Sequence, residues 1–256
     1  MSLSIKGQVF GAGEPVVCVP VVEEKADDIV RAISAIGQKG MPMVEWRADY
    51  FENLDDPAAV ADVLERVRGD LSQTVLLFTV RTDTEGGLFD GNVDDYAEVI
   101  GSAAATGLAD LIDVEFLAIG DRVAALKIAS GCRVIVSHHD FGGTEDEDIL
   151  YGQLCDMQET GADMVKLAVM PKDRVDVIKL LSATTRFSSR FYDTPVITMS
   201  MGNLGLLSRL AGELTGSAVT FASIGKASAP GQISYKNCRG IVEIIHEGMK
   251  AEGQEA

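Results

Sequence analysis

Short apolar runs rich in β-branched residues alternate along this chain with longer stretches in which apolar positions recur at helical spacing. VVCVPVV (16–22) precedes a helical pattern over 24–38, MVEWR (43–47) one over 57–68, and TVLLFTV (74–80) one over 94–105. The alternation continues through LADLIDVEF (108–116), CRVIVSHH (132–139), ADMVKLAV (162–169), TPVITMS (194–200) and SAVTFASI (217–224), each followed by a segment able to form a helix. Strands written as nearly continuous apolar runs belong to parallel sheets covered by helices. Eight such units in about 250 residues predict a (β/α)8 barrel, folded as a single domain over 1–256. The runner-up is an open doubly wound sheet, which the count of eight disfavours. Residues 1–14, with Gly7, Gly11 and Gly13, predict a hairpin capping the barrel bottom, and the polar tail 251–256 is expected to fray.

Charge narrows the partners. With 22 Lys+Arg against 39 Asp+Glu, a net charge of −17, and no basic run, the chain is not expected to bind nucleic acid or an anionic membrane. A small anionic substrate remains compatible, because a few arginines focused in a cleft reverse the local field. Cys18, Cys132, Cys155 and Cys238 form no C-x-x-C pair, so neither a zinc framework nor a disulfide scaffold is expected. No apolar stretch reaches the ~18 residues of a membrane span and no signal-peptide pattern opens the chain, which predicts a cytoplasmic protein.

In a barrel, chemistry collects where the strands end, so polar residues that interrupt or close an apolar run are the candidates. Lys166 interrupts ADMVKLAVM. It is either a snorkelling lysine on an edge strand or a buried amine, kept nucleophilic by burial and neighbouring cations, that attacks a carbonyl. Strand alternation puts Ile135, Ser137 and His139 on one face and Val134, Val136 and His138 on the other, so one of the two adjacent histidines faces the barrel mouth; periodicity does not choose which. Glu45 and Arg47 share a face at one strand end, Arg81 follows another, and Glu85 lies in the turn T-D-T-E-G-G. Asp113 and Glu115 also share a face, as partners of Lys166 or His139 or as helix caps. Phe141 reads as a pocket wall or as core. Arg209 lies on a short helix after the seventh strand, and KASAPGQIS (226–234), with Ser228 and Gln232, reads as a binding lid or a turn.

Together the motifs E-W-R-x-D (45–49), F-T-x-R (78–81), E-G-G (85–87), S-x-H-D-F (137–141), V-K-L-A-V-M-P (165–171), I-T-M-S-M-G (197–202), S-R-L-A-G-E (208–213), G-S-x-x-T-F (216–221) and K-A-S-A-P-G-Q-I (226–233) resemble those of the type I 3-dehydroquinate dehydratases, from Pro15 to the last helix. The resemblance implies syn dehydration of 3-dehydroquinate to 3-dehydroshikimate in the shikimate pathway, through an imine on Lys166. It gives His139 the proton transfers at C2 and at the departing C1 hydroxyl, and Glu85 the orientation of that histidine. It pairs Arg209 with the substrate carboxylate, sets Glu45, Arg47 and Arg81 against substrate hydroxyls, and puts Ser228 and Gln232 on a closing loop. It implies no metal or cofactor, a homodimer and, from the chain length, a monofunctional enzyme. One position departs: Pro20 stands where the family often carries a serine. A class I aldolase on the same fold is the alternative, disfavoured by the arginine set; a catalytically silent barrel would have lost Lys166, His139 or Glu85.

Overall fold

The computed structural model describes residues 3–225 and 231–252. Strands β1 (Leu3–Ile5) and β2 (Gln8–Phe10) pair antiparallel across Lys6 and Gly7, whose φ angles of 48° and 80° are those of a tight hairpin turn. The eight predicted strands follow as β3 (Val16–Val21), β4 (Met43–Arg47), β5 (Val75–Thr79), β6 (Leu111–Glu115), β7 (Arg133–Asp140), β8 (Met164–Val169), β9 (Val196–Ser200) and β10 (Val219–Phe221). They form one parallel sheet in the order β10-β3-β4-β5-β6-β7-β8-β9. The two ends of that order meet: the Ala218 N–H donates to the Val196 carbonyl at 2.7 Å, and Ser217 Oγ accepts from the Thr198 N–H at 3.0 Å. Closure removes the sheet edges and excludes the open doubly wound alternative.

The helices are α1 (Ala26–Gln38), α2 (Pro57–Arg68), α3 (Val93–Ala105), α4 (Phe116–Ile119), α5 (Val123–Ser130), α6 (Glu147–Glu159), α7 (Arg174–Arg190), α8 (Leu206–Leu210), α9 (Gly212–Thr215) and α10 (Tyr235–Glu252). Local chemistry explains several starts. Asp56 caps α2 ahead of Pro57, Asn92 and Asp95 form a reciprocal capping box on α3, and Asp173 caps α7. Helix α10 continues through Glu252, so the first two residues of the expected tail are helical; residues 253–256 lie outside the described residues. Among the described residues no helix is long and apolar enough to cross a membrane.

Each strand alternates between two layers. One phase, including Val44, Trp46, Leu76, Phe78, Val136 and Leu167, packs against helix residues such as Ile33, Leu64, Ile100, Leu154 and Phe187. The other phase faces the barrel axis. Near the amino ends it is apolar, with Met43, Val75, Leu111, Ile135 and Met164 closing against Ile5 and Phe10 of the hairpin, which therefore plugs the bottom. Toward the carboxyl ends the same phase turns polar and stays buried, through Glu45, Arg47, Thr79, Arg81, Asp113, Glu115, Ser137 and Lys166. The apolar floor thus holds a charged layer above it, away from bulk water.

Trp46 is fully buried in the helix–sheet layer, edge-on to Phe78 and Phe51 with centroids 5.3 and 5.9 Å away. Trp46→Ala is expected to cost about 3–5 kcal/mol of stability by leaving a cavity. Because the chain has one tryptophan, the midpoint of urea unfolding should be followed by circular dichroism rather than indole fluorescence. An unshifted midpoint would contradict this packing role.

Candidate active site

The polar layer opens into a cavity of about 300 Å³ lined by Glu45, Arg47, Arg81, Glu85, Gly86, His139, Phe141, Lys166, Ala168, Met199, Met201, Arg209, Phe221 and Gln232. Of the residues singled out from sequence, Lys166, His139, Glu85, Glu45, Arg47, Arg81, Arg209 and Gln232 all reach it. Ser228 lies outside the described residues.

Lys166 stands on β8, paired with β7 on one side and β9 on the other, so the edge-strand reading is excluded. Its side chain is 5% exposed. Nζ lies 3.4 Å from Asp113 Oδ2, 3.8 Å from Glu45 Oε1 and 4.7 Å from the centroid of the Phe221 ring. The expected neighbouring cations are therefore corrected: the charges nearest the amine are carboxylates, because β6 and β4 turn their acidic residues inward at this height. Thr79 Oγ1 donates to Glu45 Oε1 at 3.0 Å and holds that carboxylate in place.

Beneath the cavity Arg81 gathers the acids. Its guanidinium donates to Asp113 Oδ1 at 2.7 Å, Glu115 Oε1 at 2.9 Å and Ser137 Oγ at 3.0 Å, while Ser137 Oγ donates to Asp113 Oδ1 at 2.6 Å. Burial works against the charge of Asp113, but Arg81 and Lys166 outweigh it and hold the carboxyl below its ordinary range. Burial dominates at Glu115 and pushes it up. Asp113 and Glu115 are thus partners in this network, Asp113 directly against Lys166, rather than helix caps. Arg47 forks onto both carboxylate oxygens of Asp49 at 2.8 Å, which aims its guanidinium at the cavity rim. Pro20 lies beside Glu45 across the β3–β4 pairing, so no side-chain hydroxyl is present there.

The strand phase selects His139 as the inward histidine. Its Nδ1 and its backbone N–H both meet Glu85 Oε2, at 2.9 and 3.0 Å. With Nδ1–H donating to the carboxylate, the lone pair lies on Nε2. Glu85 ends the 3-10 turn Asp83–Glu85, and the chain leaves through Gly86 at φ +82°. A Cβ on Gly86 would strike the Phe141 ring, and one on Gly87 the Arg81 carbonyl, so both glycines are required for the carboxylate to sit over the end of β7. Phe141 is 43% exposed and walls the cavity instead of joining the core.

Burial, then the charges of Arg81, Lys166 and Arg47, push His139 well below the ordinary histidine value, while the hydrogen bond to Glu85 pushes His138 up. Two adjacent imidazoles are therefore expected to titrate on opposite sides of about pH 6.5, as nitrogen-15 NMR of labelled histidines would show. A shared midpoint would contradict this electrostatic environment.

Arg209 projects from α8, 3% exposed, with its backbone carbonyl anchored by Thr220 Oγ1 at 2.7 Å. Burial pulls its guanidinium below the usual arginine value, yet it stays charged at any working pH and supplies a cation at the cavity wall. Thr79, Ser137 and Asp49 were not assigned roles from the sequence. The signal for the first two was present, since each lies two residues from an assigned inward side chain and shares its phase.

A closed parallel barrel with an amine, an imidazole–carboxylate pair and arginines around one cavity at the carboxyl ends of its strands is the build of a barrel enzyme. The sequence profile of the Type I 3-dehydroquinase family matches residues 17–249. The 3-dehydroquinate dehydratase of Clostridioides difficile is 38% identical, covering 96% of this chain and 98% of its own, and that of Syntrophotalea carbinolica is 40% identical over the same shares. A solved structure of the type I 3-dehydroquinate dehydratase from Clostridium difficile, carrying covalently modified comenic acid, superposes with a TM-score of 0.92 at 37% identity, covering 97% of this chain and 99% of its own. The enzyme from Geobacillus kaustophilus superposes with a TM-score of 0.90 at 35% identity, covering 96% and 97%. This chain belongs to the type I 3-dehydroquinase family, and it is a hydro-lyase.

Proposed function

We propose that the chain dehydrates 3-dehydroquinate to 3-dehydroshikimate through an imine on Lys166, as a step of the shikimate pathway. The observation that carries this reading is the amine of Lys166, buried in the barrel at the base of a cavity that His139 and Arg209 also line. The Lys166 ammonium gives up a proton, the free amine adds to the C3 ketone, and that proton returns as water leaves, forming a protonated imine. That group is an electron sink, so the proton on C2 becomes acidic enough for a neutral imidazole, and His139 Nε2 takes it to give an enamine. The enamine expels the C1 hydroxyl, which His139 protonates as it departs, and water then hydrolyses the protonated conjugated imine to release product and the Lys166 ammonium. Glu85 balances the charge on His139 while it carries the proton. Arg209, whose planar fork suits a carboxylate, holds the acid group, and Glu45, Arg47 and Arg81 face the ring hydroxyls. Ser228 and Gln232 belong to the loop proposed to close over the ring. The reading includes one catalytic domain, working as a cytoplasmic homodimer.

The test is borohydride trapping. Incubation with 3-dehydroquinate and borohydride is expected to inactivate the enzyme and leave a secondary amine on Lys166, found by peptide mass spectrometry. An active sample that yields no adduct on Lys166 would remove the imine from the reading. A class I aldolase would be recognised by carbon–carbon cleavage products in place of water loss.

A further inference from the structure

We propose that His138, which takes no part in the chemistry above, is a positioning residue: from a second cavity behind the substrate site it shares Glu85 with His139 and so governs how much of that carboxylate's charge His139 can use. The proposal rests on the reading of His139 as the base.

The geometry is specific. Glu85 Oε1 meets His138 Nδ1 at 2.9 Å, while Oε2 takes Nδ1 and the backbone N–H of His139. Neighbouring residues of a strand point to opposite sides, so one carboxylate reaches both imidazoles only because the Asp83–Glu85 turn carries it over the end of β7. Glu85 is 6% exposed and held between the two rings. His138 opens away from the substrate, into a cavity of about 620 Å³ between that turn, α3 and the loop after β7; Glu85, His139 and Phe141 border both cavities.

This arrangement makes the two imidazoles competitors. When His139 accepts the C2 proton it becomes a cation that Glu85 must balance. A protonated His138 already occupies the other oxygen of the same carboxylate, and like charges sharing one counter-ion oppose each other. Around His138 stand Glu85 and Asp83 from the turn, Glu115 from β6, Tyr96 from α3 and Asp140 on its own strand, with Arg81 3.6 Å from the far oxygen of Glu85. This mostly acidic setting, with the hydrogen bond to Glu85 as the main cause, keeps His138 protonated to a higher pH than an ordinary histidine. Deprotonation of His138 as pH rises therefore releases Glu85 to His139, and kcat should climb through that titration.

The test compares the parent enzyme with His138→Phe and His138→Asn, measuring kcat and KM for 3-dehydroquinate against pH and the titration of the His139 ring by NMR without substrate. The parent kcat profile is expected to contain an ionisation above about pH 6.5 that is missing from both variants. His138→Phe, which removes the competing charge, should work about tenfold faster than the parent below that ionisation and match it above, with KM within about twofold. His138→Asn, whose neutral amide can still donate to Oε1, should likewise hold kcat at the parent's high-pH level with a flat profile, and in it the His139 titration should move upward because a neighbouring positive charge is gone. Superimposable parent and His138→Asn profiles would overturn the proposal, as would an unmoved His139 titration; both readouts stand if His138→Phe does not fold. A fully active His139→Ala enzyme would instead remove the base assignment beneath it, whereas an inactive one beside superimposable profiles overturns the positioning role alone.

Discussion

Lys166→Ala is expected to reduce dehydration to background, a loss larger than the ~10⁴-fold that removal of a general base costs, because without the amine no electron sink forms and the C2 proton stays beside an unactivated ketone. Borohydride and substrate should then leave the protein unmodified. The substitution also changes the buried charge. Asp113 keeps Arg81 at 2.7 Å and Ser137 at 2.6 Å, and Glu45 keeps Thr79 at 3.0 Å, so each carboxylate retains a partner and the barrel should remain folded. Lys166→Met, which fills the same space without charge, separates the loss of the nucleophile from the loss of packing; it too should be inactive with an unchanged circular dichroism spectrum. A Lys166→Ala protein working at about one per cent of the parent rate or more would defeat the covalent mechanism, since that loss is well under what the step demands.

His139→Ala should lower kcat by about 10²–10⁴-fold while leaving the first step intact, so that substrate and borohydride still modify Lys166. Trapping without turnover is the signature that divides the two roles. The pH dependence follows from the lowered value of His139. Because the free enzyme holds this imidazole neutral well below the ordinary histidine range, kcat/KM should lose activity to its protonation only at pH values well under about 6.5. The same shift acts on stability with a definite sign. Between the folded value and about 6.5 the unfolded chain binds a proton that the folded chain does not, so this group's contribution falls as pH is lowered through that window and vanishes as a pH-dependent term above it. His139→Gln should therefore lose less stability than the parent between neutral pH and pH 5, read as urea midpoints. Equal acid sensitivity of the two proteins would contradict the burial of a neutral ring.

Much of this was legible along the chain because it depends on neighbours a few residues apart. Apolar runs and helical spacing specify the eight units, Asp56, Asn92 and Asp173 mark helix starts, and the period of two puts Glu45 with Arg47, Asp113 with Glu115, and Ser137 with His139. Periodicity left open which phase of β7 faces inward, and so which histidine serves, because that choice depends on where helices cover the strand. The cations expected around Lys166 from the needs of a nucleophilic amine are carboxylates instead, Asp113 and Glu45, which strands distant in sequence bring to it.

By itself, then, the sequence determined the barrel, the polar inward phase near its strand ends and the identity of the chemical groups, since hydrophobic periodicity and capping are short-range effects. The tertiary structure alone decided which groups meet. Asp113 reaches Lys166 across 53 residues of chain, and Glu85 reaches His139 across 54 and His138 across 53. Closing a barrel brings strands far apart in sequence to the same height around one axis, and electrostatics in a buried site is set by those distances rather than by order along the chain.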